Sequence, residues 1–292
     1  MNRIKGILYA AVSSSTFGLA PFFSITLLLA GFSAFEVLSY RWGVASIVLI
    51  VFGWLSGCNF RLAGKDWGVV FLLSLLRAVT SFSLIIAYQN IASGVASTIH
   101  FMYPLAVALA MMFFFREKKS LLVILAVLMS LLGAALLSLG ELEAKSGNTM
   151  VGLVAACVSV FSYAGYIVGV RTTRAVQINS TALTCYVMGS GTIFYLIGAY
   201  CTSGLQLVSD GYTWLIILGL ALPATAISNI TLVQAIKYAG PTLTSILGAM
   251  EPLTAVVIGV FVFKELFTVN SAVGIILILL AVSIVVFRRQ KS

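Results

Sequence analysis

The chain has 292 residues, of which 61% are hydrophobic and only 9% charged, against about 25% charged in an ordinary soluble domain. So few charges cannot cover a water-facing surface, which excludes a soluble globular domain and places the chain in a bilayer. The net charge of +9 and pI near 9.5 do not indicate nucleic acid, because the basic residues sit in short loops between apolar runs, where they set membrane orientation.

A membrane helix needs about 20 apolar residues to cross the hydrocarbon. Ten stretches qualify: 6–28, 36–55, 67–88, 93–115, 120–140, 150–170, 180–202, 212–235, 241–263 and 269–287. They predict an all-α membrane protein of ten transmembrane helices. The first run is too long for a cleavable leader. It carries Ser13, Ser14, Ser15 and Thr16, then Phe17-Gly18 and Pro21. Span 2 opens on Glu36 and Arg41, five residues apart and so offset around the helix. Arg41 is shallow enough for its side chain to reach the outer surface. Span 3 holds Arg77 near its middle, with Ser81 one turn on and Tyr88 on the same face. Span 4 holds His100, Tyr103 and Pro104. Span 6 has Gly165 and Gly169, a small-xxx-small pair suited to internal packing. Span 8 has Pro223, Thr225, Ser228, Asn229 and Gln234. Pro241 opens span 9, which contains Glu251 and Pro252.

The chain is doubled. Residues 87–137 align without a gap on 235–285 at a shift of 148, which lays Pro104 on Pro252 and Arg116-Glu117 on Lys264-Glu265. Upstream the shift is 146 to 147: Gly6 falls on Gly152, Phe17 on Tyr163, Tyr40 on Tyr186 and Trp67 on Trp214. The expected units are 1–140 and 150–292, each with five spans. With both termini cytoplasmic, thirteen Lys and Arg residues lie inside and two, Lys145 and Lys264, outside, which fits the positive-inside rule. An odd number of spans per half makes the second half enter from the opposite side, the inverted repeat common in secondary transporters.

These motifs carry a resemblance to a known group. Ala92-Ser93-Gly94, Tyr103-Pro104-Leu105 and Arg116-Glu117 recur in order as Ala239-Gly240-Pro241, Glu251-Pro252-Leu253 and Lys264-Glu265. The ordered set resembles the drug/metabolite transporter superfamily, specifically its EamA-type permeases, over essentially the whole chain. The resemblance implies a ten-helix bundle around a central cavity and movement of small metabolites, often export. The chain departs from many relatives at Phe17-Gly18, where they carry Trp-Gly, and this changes the aromatic wall of the cavity.

Placing an ionised group at the bilayer centre costs roughly 2.5–3.5 kcal/mol on insertion scales. Arg77 is therefore either a cavity cation for a substrate carboxylate or phosphate, to which its planar fork is suited, or a buried group bonded to carbonyls or a Glu. Glu251 either exchanges a proton, meets a cationic substrate group, or pairs permanently with Arg77 or Arg41. His100 either shuttles protons or packs. Arg77 facing Glu251 would suit a zwitterion such as an amino acid. The remaining candidates for the substrate wall are Tyr103, Phe17, Ser81, Asn229 and Arg41. Pro104, Pro252, Pro21 and Pro223 are candidate helix kinks, since proline frees carbonyls that a wet cavity tolerates.

With one His, four scattered Cys and no CxxC spacing, no metal site or disulfide framework is expected. No Gly-rich nucleotide loop and no hydrolase or metalloprotease motif is present. The expectation is a non-enzymatic permease of the cytoplasmic membrane, monomeric or homodimeric. Its partners are a small-molecule substrate and the lipid bilayer, not nucleic acid, and it needs no cofactor beyond protons if transport is coupled to them. The alternative is a channel or scaffold without alternating access.

Overall fold

In hydrocarbon a backbone must satisfy its own polar groups, which leaves the helix as the one local solution. The computed structural model describes residues 2–91, 93–117, 121–138, 147–202, 204–261 and 268–288; among the described residues it contains fourteen α-helices and no strand. The first half comprises α1 (Asn2–Phe17), α2 (Ala20–Leu29), α3 (Ala34–Leu55), α4 (Trp67–Asn90), α5 (Ser93–His100), α6 (Tyr103–Phe113) and α7 (Leu121–Ser138). The second comprises α8 (Thr149–Thr172), α9 (Ser180–Cys201), α10 (Gly211–Ala221), α11 (Ser228–Ala239), α12 (Pro241–Leu247), α13 (Met250–Phe261) and α14 (Val269–Arg288).

Seven spans are long and apolar enough to cross a membrane, namely the first four expected ones and the sixth, seventh and eighth. Helices α7 and α14 stand at the fifth and tenth positions, but their apolar stretches, Leu121–Gly133 and Ala272–Ile284, are shorter. The ninth is divided into α12 and α13. Lys118, Lys119, Lys145, Lys264, Glu265, Arg289 and Lys291 lie outside the described residues.

The candidate kinks are interruptions. Span 1 breaks at Gly18-Leu19, span 4 at Phe101-Met102 and span 9 at Gly248-Ala249, while α10 and α11 are joined by a π-helical segment, Leu222–Ile227. Pro21 and Pro104 sit in the first turns of α2 and α6, and Pro223 opens the π-segment. Pro252 is the third residue of α13. In a first turn the missing proline N–H leaves no hydrogen bond unmade, so Pro21, Pro104 and Pro252 start the second pieces of their spans, whereas Pro223 interrupts the continuous run from α10 into the π-segment.

The halves meet through matched contacts. Helices α3 and α9 lie side by side and antiparallel: Phe35 covers Gly198, Trp42 covers Gly191, and Ser46 faces Gly189. The Tyr40 hydroxyl donates to the Gln206 carbonyl at 2.5 Å, and Tyr186 donates to the Phe60 carbonyl at 2.6 Å. Donors and acceptors are both 146 residues apart, so the same bond is made twice, at opposite ends of the α3–α9 pair. Each tyrosine also meets a tryptophan edge to face, Tyr40 with Trp214 at 6.0 Å and Tyr186 with Trp67 at 5.5 Å. Gly6 lets α1 close on Tyr238 and Ala239 of α11, as Gly152 lets α8 close on Asn90 and Ile91 beside α4. Gly169 and Gly165 likewise face Leu73 and Leu76, so this pair serves internal packing.

Glycine is required where a ring fills the side-chain position. A Cβ on Gly191 would lie 2.1 Å from Trp42, whereas one on Gly189 would have its nearest neighbour, Ser46 Oγ, at 4.0 Å. Gly191→Ala should therefore destabilise by about 1–3 kcal/mol through overpacking. Gly189→Ala should be neutral or stabilising by up to about 1 kcal/mol, because Ala is the better helix former and its Cβ meets open space. Thermal unfolding of the purified variants checks the pair.

Candidate functional site

The first half surrounds a small cavity, lined by Phe17 where α1 ends, Pro21 and Ser24 of α2, Arg41 of α3, and Arg77, Ser81 and Tyr88 of α4, among others. Sequence spacing put Arg77, Ser81 and Tyr88 on one helical face, and all three line this wall. Second-half residues hold the arginine heads from behind.

Span 8 holds them because of Pro223. A π-helical turn leaves its carbonyls poorly served by the backbone, and side chains take over. The Thr225 hydroxyl donates to the Leu220 carbonyl at 2.7 Å, Asn229 Nδ2 donates to the Thr225 carbonyl at 2.7 Å, and Ser13 of α1 donates to the Ser228 carbonyl at 2.8 Å. Thr225 and Asn229 keep an oxygen free to accept. Arg41 Nε donates to Thr225 Oγ1 at 2.7 Å, with Nη2 at 3.5 Å from the Ala224 carbonyl; Arg77 Nε donates to Asn229 Oδ1 at 3.1 Å. Arg41 thus points inward, not to the outer surface, and is only 5% exposed. Polar acceptors on the π-segment hold it more effectively than a long reach to water.

Aromatic faces complete the setting. Both guanidiniums stand over the Phe17 ring, Arg41 at 5.5 Å and Arg77 at 5.3 Å; Arg77 also meets Tyr163 at 4.8 Å and Tyr166 at 5.9 Å. Phe17 and Tyr163 are repeat counterparts, so the doubled sequence flanks one cation with both copies of one position. Tyr166, one helical turn further along α8, was not among the expected site residues. The alignment of Tyr163 with Phe17 was the available signal for this side of α8.

His100, Tyr103 and Glu251 do not line the cavity. The Ser159 hydroxyl lies 2.6 Å from the Ala156 carbonyl and 2.8 Å from His100 Nδ1. The ring stacks on Tyr163 at 5.4 Å, and Tyr103 meets the edge of Tyr163 at 4.6 Å. The Tyr103 hydroxyl fills the space beside Gly248, 1.8 Å from where a Cβ would stand, and lies in hydrogen-bonding reach of Glu251. Gly18 rests on the Glu251 backbone, which docks the break in span 1 against α13.

Arg77 and Glu251 do not face each other as a pair. Among the described residues no carboxylate comes within 4.0 Å of either guanidinium, because Asn229, Thr225 and the rings occupy their flanks. Three buried polar atoms of the cluster have no hydrogen-bond partner: Arg77 Nη1, His100 Nε2 and Tyr166 Oη.

The family model described as the EamA-like transporter family matches the chain twice, at residues 4–139 and 150–287. No curated protein matches. A solved structure described only as "Crystal structure of protein" has a TM-score of 0.79 at 17% identity, covering 97% of this chain and 96% of that one; at that identity the likeness is one of fold.

Asn229 joins the π-segment to Arg77. Asn229→Ala leaves the Thr225 carbonyl and Arg77 Nε without partners, an expected cost of about 1–3 kcal/mol. Asn229→Asp keeps the acceptor and should retain more stability. Denaturation of the two variants in parallel checks the ranking.

Proposed function

The chain belongs to the EamA-like transporter family, in the drug/metabolite transporter superfamily, and from that membership we propose a multi-pass secondary transporter of the cell membrane. It exports small metabolites by alternating access to a cavity deep in the bundle. The topology is ten crossings in two inverted units, 1–140 and 150–292, with both termini cytoplasmic.

The observation that carries this reading is the antiparallel pairing of α3 with its own repeat counterpart α9. Tyr40 and Tyr186 make the same bond at opposite ends, as an in-plane two-fold axis requires. Further contacts at the two ends favour the same arrangement. Glu117 accepts from Thr242 at 2.6 Å at the end expected to be cytoplasmic, where Lys237 Nζ also donates to the Ile178 carbonyl. At the other end Glu36 accepts from the backbone of Ser33 at 2.8 Å and of Gln206 at 2.6 Å. The Glu117–Thr242 and Glu36–Gln206 bonds tie the halves, one at each end, and opening one while the other closes would expose the cavity alternately. Transport is either passive or coupled to proton exchange at Glu251 or His100.

Reconstituted vesicles test this reading. In a variant with Cys58, Cys157, Cys185 and Cys201 replaced, Ser24→Cys should react with an impermeant thiol reagent from either face, with proportions that shift when cargo is added to one side. Cysteines at Asn59 and Leu207 should label from opposite faces. Ser24→Cys reacting from one face under every cargo condition contradicts alternating access, and a channel or scaffold then stands. Counterflow that ignores a pH gradient removes proton exchange, whereas a gradient effect lost in Glu251→Gln assigns it.

A further inference from the structure

We infer that the cargo is a small organic anion, a carboxylate or phosphate on an apolar body, whose charged end is received by Arg77 and Arg41; this rests on the cavity being the cargo site. Two arginines line one cavity and no acidic residue does. Their partners, Thr225, Asn229, the Ala224 carbonyl and the Phe17 ring, are all neutral. Glu251 does not line the cavity; it hydrogen-bonds Tyr103, within reach of the Arg77 charge, and Glu36, at the start of α3, is used by the backbone N–H groups of Ser33 and Gln206.

Like charges left together away from water are costly unless something neutralises them. Arg77 is 1% exposed, its Nε is held by Asn229, and its Nη1 is left with no partner. A guanidinium anchored at one edge presents its other donors to an oxyanion in a planar fork. Pro21, Leu84 and Ile85 form an apolar remainder, so the ligand carries a hydrocarbon part as well as its charge. A zwitterion would bring an ammonium into a cavity that offers it two cations and no carboxylate.

Calorimetric titration of the detergent-purified full chain tests this with one skeleton and four charges: 3-phenylpropionate, phenylalanine, 3-phenylpropanol and phenethylamine. Phenyl phosphate and succinate serve as further anions. 3-Phenylpropionate should bind at least about tenfold tighter than the zwitterion, alcohol and amine, and Arg77→Gln should lose at least about tenfold. Arg77→Lys, which keeps the charge but not the fork, should lie between them, and the wild-type series decides alone if Arg77→Gln does not fold. The inference falls if the zwitterion, alcohol or amine binds as tightly. It also falls if none of the three anions binds below about 10 mM, or if micellar phosphatidylglycerol, not a soluble anion, occupies the site with the same arginine dependence. Because binding is read without flux, anion binding in a chain that moves nothing would sink the transporter reading alone. Amino-acid flux without anion binding would sink only this one.

Discussion

Two guanidiniums share the Phe17 ring in the interior of a lipid-soluble chain, and much of the central architecture follows from holding them there. Among the described residues neither has a carboxylate within 4.0 Å. Their charge is spread over aromatic faces, where a desolvated cation–π contact contributes roughly 2 kcal/mol or more, and over neutral acceptors that a regular helix would not expose. The π-segment at Pro223 creates those acceptors. Thr225 and Asn229 each satisfy a loosened carbonyl with one atom and an arginine with another. The break in helix geometry and the burial of charge are therefore one feature.

The doubling is kept at the rim and abandoned at the centre. Tyr40 and Tyr186, Trp67 and Trp214, Gly6 and Gly152 make equivalent contacts in both halves. At the cavity the equivalents part: Arg77 aligns with Ala224, His100 with Gly248, and Tyr103 with Glu251. The Gly248 position gives space to Tyr103 of the other half, so loss of a side chain in one copy makes room for a side chain retained in the other. A single asymmetric site needs only one set of chemical groups.

Composition and periodicity made the membrane helices legible, and the repeat made the pairing of Phe17 with Tyr163 findable before any coordinates. Arg77, Ser81 and Tyr88 share a wall because helical spacing alone puts them on one face. The direction of Arg41 was not legible. Depth along a helix suggests a reach to the surface, while the outcome depended on which neighbour presents acceptors, and that neighbour is the π-segment 184 residues away. The partner of Glu251 was hidden for the same reason: similar depth to Arg77 says nothing about azimuth, and Tyr103 lies nearer. The fifth and tenth spans read as crossings from sequence, yet their apolar helical stretches are shorter.

The central claim is that the arginine-lined cavity beside Phe17 is where cargo sits. A crystal of the full chain grown with 3-(4-bromophenyl)propionate, measured at the bromine absorption edge, tests it most directly. The account predicts one strong bromine peak inside the cavity, on the apolar side near Leu84 and Ile85, with the carboxylate turned toward Arg77. A peak confined to the lipid-facing surface, or a carboxylate turned away from both arginines, would contradict it.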